Sequence, residues 1–114
     1  MTDCIFCKII AGQIPAAKIF EDENIIVFKD ITPKAPVHLL AIPKTHFATI
    51  QDIPEPEMGI ITKLFSAIAK TVQTLGLCEK GYRLVINSGE RAGQAVPHIH
   101  VHILAGRELA WPPG

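Results

Sequence analysis

At 114 residues, 48% of them hydrophobic and 19% charged, the chain is the size of one compact domain that buries roughly two-thirds of its unfolded surface, which excludes a disordered polymer. Eleven basic residues balance eleven acidic ones, so no net positive field exists to hold a long nucleic acid by counterion release, although a single mononucleotide stays within reach. The longest apolar runs, 37–43 and 99–105, fall far short of the roughly 20 residues that span a bilayer, and Met1-Thr2-Asp3-Cys4 lacks the basic and apolar segments of a secretory signal, so a cytoplasmic protein without a membrane partner is expected.

In chain order, Asp3 is placed to cap a short helix over 4–11, in which Ile5, Phe6, Ile9 and Ile10 recur at helical spacing and which Gly12 ends. Residues 18–20 and 24–29 read as a hairpin around the polar turn Glu21-Asp22-Glu23. A proline-punctuated loop over 30–36 leads into a third strand, 37–42, which Pro43 ends and which begins near His38. Over 55–75 the positions Met58, Ile61, Leu64, Phe65, Ile68, Val72 and Leu75 keep three- and four-residue steps and predict the main helix, with Glu55 and Glu57 at its positive end. Two last strands, 82–87 and 98–104, flank a loop carrying Gly89 and Gly93. The order predicts an α+β fold with an antiparallel sheet of about five strands, one short helix and one long one.

Three of the five histidines fall in His98-Ile99-His100-Val101-His102. On a strand alternate residues share a face, so the three imidazoles point one way and Ile99, Val101 and Ile103 the other. The plain alternative is a solvated strand face, but strand propensity supplies no reason for three histidines there. Same-face neighbours stand about 6.8 Å apart and the outer pair about 13 Å, whereas zinc holds each nitrogen at about 2 Å, so one ion does not gather all three. At least one ring is therefore free to act as nucleophile, proton donor or phosphate hydrogen-bond donor. Gly93 and its neighbours, just before this segment, offer backbone N–H groups that could turn inward and cradle an anion.

These residues, with Ile5-Phe6 and Lys8-Ile9-Ile10, Ile14-Pro15, Phe28-Lys29-Asp30-Ile31, Ala35-Pro36 with His38, Ile42-Pro43-Lys44, Gly81-Tyr82-Arg83, Gly93-Gln94 and the closing Trp111-Pro112-Pro113-Gly114, resemble the histidine-triad (HIT) superfamily of nucleotide hydrolases and transferases. The likeness is closest to its histidine-triad nucleotide-binding (HINT-like) branch and covers nearly the whole chain. It implies one HIT domain over 1–114 and a homodimer that joins two sheets into one. It implies further that purine nucleoside monophosphates are bound and that phosphoramidates or aminoacyl-adenylates are cleaved to the monophosphate. By matching position, His100 is the nucleophile that forms a covalent nucleotidyl-imidazole, which water then breaks. His102 donates to the phosphate oxygens, His98 completes the triad, and His38 approaches from a neighbouring strand. Asn87 and Gln94 position phosphate and leaving group beside Gly93, Ala95 and Val96. Asp30 accepts the ribose hydroxyls, and Ile5, Phe6, Ile9, Phe28 and Ile31 form the slot for the base; without the likeness these apolar residues read as ordinary core. A neutral nucleophilic imidazole also needs an acceptor for its other N–H, and a carbonyl at or near His98 is in place to serve.

Two features depart from the HINT-like pattern. Ala95 and Pro97 stand where many relatives carry a serine and an aromatic residue; the lost hydroxyl bears on protonation of a leaving amine and not on the nucleophile. Cys4 and Cys7 form a pair that the animal-type branch generally lacks. Three cysteines in a reducing compartment are thiols or metal ligands, and two of them three apart at a helix start face one side. Zinc-bearing members of the superfamily complete such a site with residues matching His46 and His98, which implies a closed, structural Zn²⁺ site; the alternative is two small buried hydrophobes. Cys78 is read as structural, and Lys44 and Arg83 as surface charges or ion pairs. Other functions left open are a nucleotide-binding interaction module with incidental turnover, and a dinucleoside polyphosphate hydrolase, the latter disfavoured by the Trp-Pro-Pro-Gly end.

Overall fold

The computed structural model describes residues 4–114. Strands β1 (Lys18–Glu21), β2 (Ile25–Lys29), β3 (Val37–Pro43), β4 (Arg83–Ile86) and β5 (Val101–Ala105) form one antiparallel sheet in the order β1-β2-β3-β5-β4, accompanied by helices α1 (Ile5–Ile10) and α2 (Gly59–Thr74). Strand alternation divides the core in two. Ile25, Val27, Leu39, Ala41, Val101 and Ile103 pack with Leu64, Ile68 and Val72 of α2. Their alternates Ile26, Phe28, Leu40 and Ile42 pack with Cys4, Phe6 and Ile9 at α1. Because both faces are covered, Ile25 to Phe28 are all buried, as expected of a strand with no solvated side. The same alternation sets His38, Leu40 and His102 on the α1 face, where the register pairs Leu40 with His102 and puts His38 diagonally beside it.

Several expected boundaries move for physical reasons. The Asp3 cap lies outside the described residues; the N-cap of α1 is Cys4, whose sulfur accepts the Cys7 N–H at 3.3 Å. The helix expected over 55–75 is split: Pro56 belongs to a separate 3-10 turn, Glu55–Glu57, before α2 begins at Gly59. Leu64, Ala67, Ile68, Thr71 and Val72 make its buried stripe. Phe65 is 39% exposed and Met58 and Leu75 stand similarly open, since the seven expected positions cover a wider arc than one face buries.

β5 starts at Val101 rather than His98. Past the Ala41–Val101 pair, Pro43 has no N–H to offer, and its carbonyl instead faces the His98 ring nitrogen Nε2 at 2.8 Å. Ile99 N–H bonds Phe47 O instead, at 2.7 Å. Cys78 is exposed, so the structural reading of it is withdrawn. Lys44 pairs with Glu21 at 2.8 Å, as a surface ion pair. Arg83 differs: it holds the C-terminal segment by donating to the carbonyls of Leu109 and Ala110, at 3.2 and 2.8 Å. Among the described residues no helix is long and apolar enough to cross a membrane.

Candidate active site and metal centre

Backbone groups fix the proton on each of the buried rings. A carbonyl only accepts, so the contact of His100 Nδ1 with His98 O at 2.8 Å places the proton of a neutral ring on Nδ1 and a lone pair on Nε2. By the same reasoning His98 donates from Nε2 to Pro43 O at 2.8 Å and keeps its lone pair on Nδ1. An amide N–H only donates, so Lys34 N–H on His38 Nδ1 at 2.9 Å leaves the neutral ring with its proton on Nε2. That nitrogen faces His102 Nδ1 at 2.9 Å and Asp30 Oδ2 at 3.3 Å, and His102 therefore carries its own proton on Nε2. Asp30, His38 and His102 lie close enough to resemble a cation site, but with that proton on His38 Nε2 they form a hydrogen-bond relay instead.

Beside the rings opens a cavity of about 280 Å³. Ile5, Phe6 and Ile9 of α1 form one wall, Phe28, Asp30 and Ile31 a second, and Ala95, Val96, His100 and His102 a third. Ile31 is 92% exposed, an apolar side chain at the rim. Phe6 lies edge-on to Phe28, His98 and His100, with ring centroids 5.1 to 5.8 Å apart, so helix α1 touches both the cavity and the rings. Sequence reasoning missed Ile14, Pro15, Ala16, Lys29, Thr32 and Leu40, which also line the cavity. Strand alternation from His38 would have found Leu40; Lys29 ends β2, and the remaining four, in loops, carry no periodic signal.

Asn87, Gly93 and Gln94 are not on the cavity wall. Gly93, at φ +93°, closes a 3-10 turn: its N–H bonds Glu90 O at 3.0 Å and that of Gln94 bonds Gly89 O at 3.1 Å. The anticipated cradle at these two amides is thus occupied by the turn itself. The Gln94 side chain accepts from Gly89 N–H and donates to Ala48 O and Val96 O, tying the loop to its neighbour. Among the described residues, the N–H groups of Ala95 and Val96 on the cavity wall have no acceptor in the protein.

At His98, which Phe6 meets edge-on, Cys4, Cys7, His46 and His98 bring one ligand atom each within 4.8 Å of one another, and this cluster could hold a metal ion. His98 Nδ1 lies 3.4 and 3.7 Å from the sulfurs of Cys4 and Cys7, His46 Nδ1 lies 3.3 Å from Cys7 Sγ, and the two nitrogens are 3.0 Å apart. A tetrahedral centre with metal–sulfur bonds of about 2.3 Å and metal–nitrogen bonds of about 2.0 Å has edges of about 3.5 Å for S···N and about 3.3 Å for N···N. The donors also fit chemically: Pro43 holds the His98 proton on Nε2 and frees Nδ1 as a ligand. Burial and the adjacent Cys4 raise the Cys7 pKa, so a thiolate pair here calls for a cation.

Burial pushes the pKa values of His98 and His102 down to about 4, with neighbouring imidazoles adding to the effect and, at His98, the Pro43 carbonyl opposing it. Burial lowers His38 as well, against the opposing pull of Asp30. At Asp30 burial favours the neutral acid, but hydrogen bonds from the Thr32 N–H and hydroxyl, with the facing histidines, outweigh it and keep the carboxyl below its usual range. The histidines have a consequence for stability. An unfolded histidine takes up its proton near pH 6.5, so between about pH 6.5 and about 4 the unfolded chain binds more protons than the fold. Stability is complete above this window and falls as pH drops through it. Urea unfolding midpoints between about pH 7 and about pH 4.5 should decline; a level or rising midpoint contradicts the burial of these rings.

The fold and site define an α+β protein with a histidine cluster beside an apolar cavity on one sheet face. The HIT domain family matches residues 11–109, and the chain belongs to that family. It is 44% identical over 112 residues to a HIT-like protein of Synechococcus elongatus, covering 98% of this chain and 97% of the relative. A crystal structure of a HIT family hydrolase from Legionella pneumophila superposes with a TM-score of 0.94 at 50% identity, covering 98% of this chain and all of the other. That of a histidine triad nucleotide-binding protein from Candida albicans has a TM-score of 0.84 at 35% identity, with 96% and 83% covered.

Proposed function

We propose that the protein is a nucleotide hydrolase of the HINT-like kind, which cleaves purine nucleoside phosphoramidates or aminoacyl-adenylates to the nucleoside monophosphate. The observation that carries the reading is the 2.8 Å contact of His100 Nδ1 with His98 O, which leaves a lone pair on Nε2 of a ring lining the cavity. His100 Nε2 bonds to the α-phosphorus as the P–N or P–O bond to the leaving group breaks. An amine takes a proton from water, whereas a carboxylate departs as the anion. Water then attacks phosphorus, the N–P bond breaks, and one proton passes to solvent, restoring the neutral ring.

The remaining side chains support this chemistry. His102 Nε2–H and the Ala95 and Val96 amides are donors for the phosphoryl oxygens. Asp30, ionised at neutral pH, has lone pairs left for ribose hydroxyls. Ile5, Phe6, Ile9, Phe28 and Ile31 hold the base by apolar contact. Release of the monophosphate from an adenosine phosphoramidate or an aminoacyl-adenylate by purified protein tests the reading; tight monophosphate binding with no turnover would make the protein a binding module instead.

The ion suited to two thiolates and two imidazoles is zinc, held by Cys4, Cys7, His46 and His98. Four protein ligands leave no open position, so its part is structural: it ties α1, and with it one cavity wall, to the sheet. Edge strand β4, whose Leu84 and Ile86 are half-buried, and the exposed Phe65 support a homodimer that extends the sheet. Light scattering should give twice the chain mass; a single-chain mass at micromolar concentration contradicts it.

A further inference from the structure

Two contacts from the segment after β5 converge on the loop before His38. The Arg107 guanidinium donates from Nε and Nη2 to the Lys34 carbonyl at 3.2 and 2.9 Å, while its Nη1 donates to Glu108 O at 2.8 Å. One residue earlier, Gly106 sits at φ +93°, and a Cβ there would stand 2.9 Å from Pro36 Cβ. Only glycine lets the two segments lie this close. Lys34 is thus gripped at its carbonyl, and its own N–H, on the preceding peptide unit one Cα away, is the group that meets His38 Nδ1 at 2.9 Å.

We propose that Arg107 is a positioning residue for the hydrolytic site: by holding the Lys34 backbone in place beside His38 it sets the tautomers of His38 and His102 and keeps a proton on His102 Nε2. The functional half of this proposal rests on the reading that His102 donates to the phosphoryl group. With the Lys34 amide in place, His38 donates from Nε2 and His102 accepts at Nδ1. Without it, only Asp30 Oδ2, at 3.3 Å from Nε2, still favours the Nε2 proton; His38 gains access to the tautomer with its proton on Nδ1, and the His38–His102 hydrogen bond can reverse. His102 would then present a lone pair to a phosphate anion, which repels where the other tautomer attracts. Arg107 itself is exposed and is not on the cavity wall, so its effect on the reaction passes wholly through the relay.

The test is long-range ¹H–¹⁵N correlation of the imidazoles in ¹⁵N-histidine-labelled protein, read beside steady-state kinetics. Wild type should show His38 and His102 each as the single Nε2–H tautomer. In Arg107→Ala both should become mixtures, with kcat down about tenfold and KM within about twofold, the pattern of a contact that matters more in the transition state than in the ground state. Arg107→Lys should recover part of both signals. Gly106→Ala, which displaces the loop by a separate route, should mix the tautomers with Arg107 intact, and it decides the matter if Arg107→Ala fails to fold. A wild-type Nδ1–H tautomer at either ring, or unchanged tautomers in both variants, overturns the clamp; shifted tautomers with unchanged kcat overturn its role in the reaction. If wild type itself shows no turnover, the hydrolase reading fails, and the imidazole spectra still decide the clamp.

Discussion

Replacing His100 with alanine is expected to lower turnover by about 10⁴-fold or more, the scale on which loss of a covalent nucleophile registers, while nucleoside monophosphate binding stays within a few-fold of wild type. The separation of the two effects follows from the geometry. The base slot is built from residues of α1, β2 and the loop after β2, and the remaining phosphate donors, His102 Nε2–H and the Ala95 and Val96 amides, are separate from the His100 ring. That ring is buried against Phe6 and His102, with centroids 5.1 and 5.0 Å away, so its removal leaves a void costing about 2 kcal/mol. An unfolding midpoint measured alongside the kinetics shows that loss of activity is not loss of the fold. Turnover that survives the substitution would make any activity incidental to binding.

Removing the metal proposed at Cys4, Cys7, His46 and His98 is expected to have the second largest effect. A ligand present at about a thousand times its dissociation constant stabilises the fold by about 4 kcal/mol, which for a domain of this size corresponds to about 15 °C or more in melting temperature. Chelation, or the double substitution Cys4→Ser/Cys7→Ser, should produce such a drop. Helix α1 carries Cys7 as well as Ile5, Phe6 and Ile9 of the cavity wall, and Cys4 caps it, so the metal-free protein should also bind monophosphate about tenfold more weakly. Elemental analysis with calorimetry of both forms checks the pair of effects; wild type lacking stoichiometric metal, or a metal-free form of equal stability, contradicts them.

What was legible from sequence follows from how local each signal is. The His-x-His-x-His run marked the histidine cluster, the family resemblance made His100 and His102 part of a nucleotide pocket, where both line the cavity, and Cys4-x-x-Cys7 marked one half of the candidate metal cluster. The family resemblance supplied His46 and His98 as the other half, and the succession of strands and helices along the chain followed from apolar periodicity. The failures are cases where a backbone group elsewhere decides. The expected strand began at His98, yet His98 turns its ring to the Pro43 carbonyl and Ile99 bonds Phe47, so β5 begins at Val101 and, of the three histidines, only His102 lies on it. Gly93 was read as an open amide, and only the folded turn shows Glu90 O closing it. Phe65 satisfied the helical spacing but lies off the buried arc of α2. Arg107 gave no signal at all, because its partner is a main-chain carbonyl 73 residues away and no side-chain pattern encodes that.

The most direct measurement is intact-protein mass spectrometry of reaction mixtures quenched in acid-free conditions during turnover, followed by peptide mapping. A gain of one nucleoside monophosphoryl group, located on His100 and absent from His100→Gly, is the predicted result. Wild-type rates from His100→Gly, or an adduct on any other side chain, would contradict it.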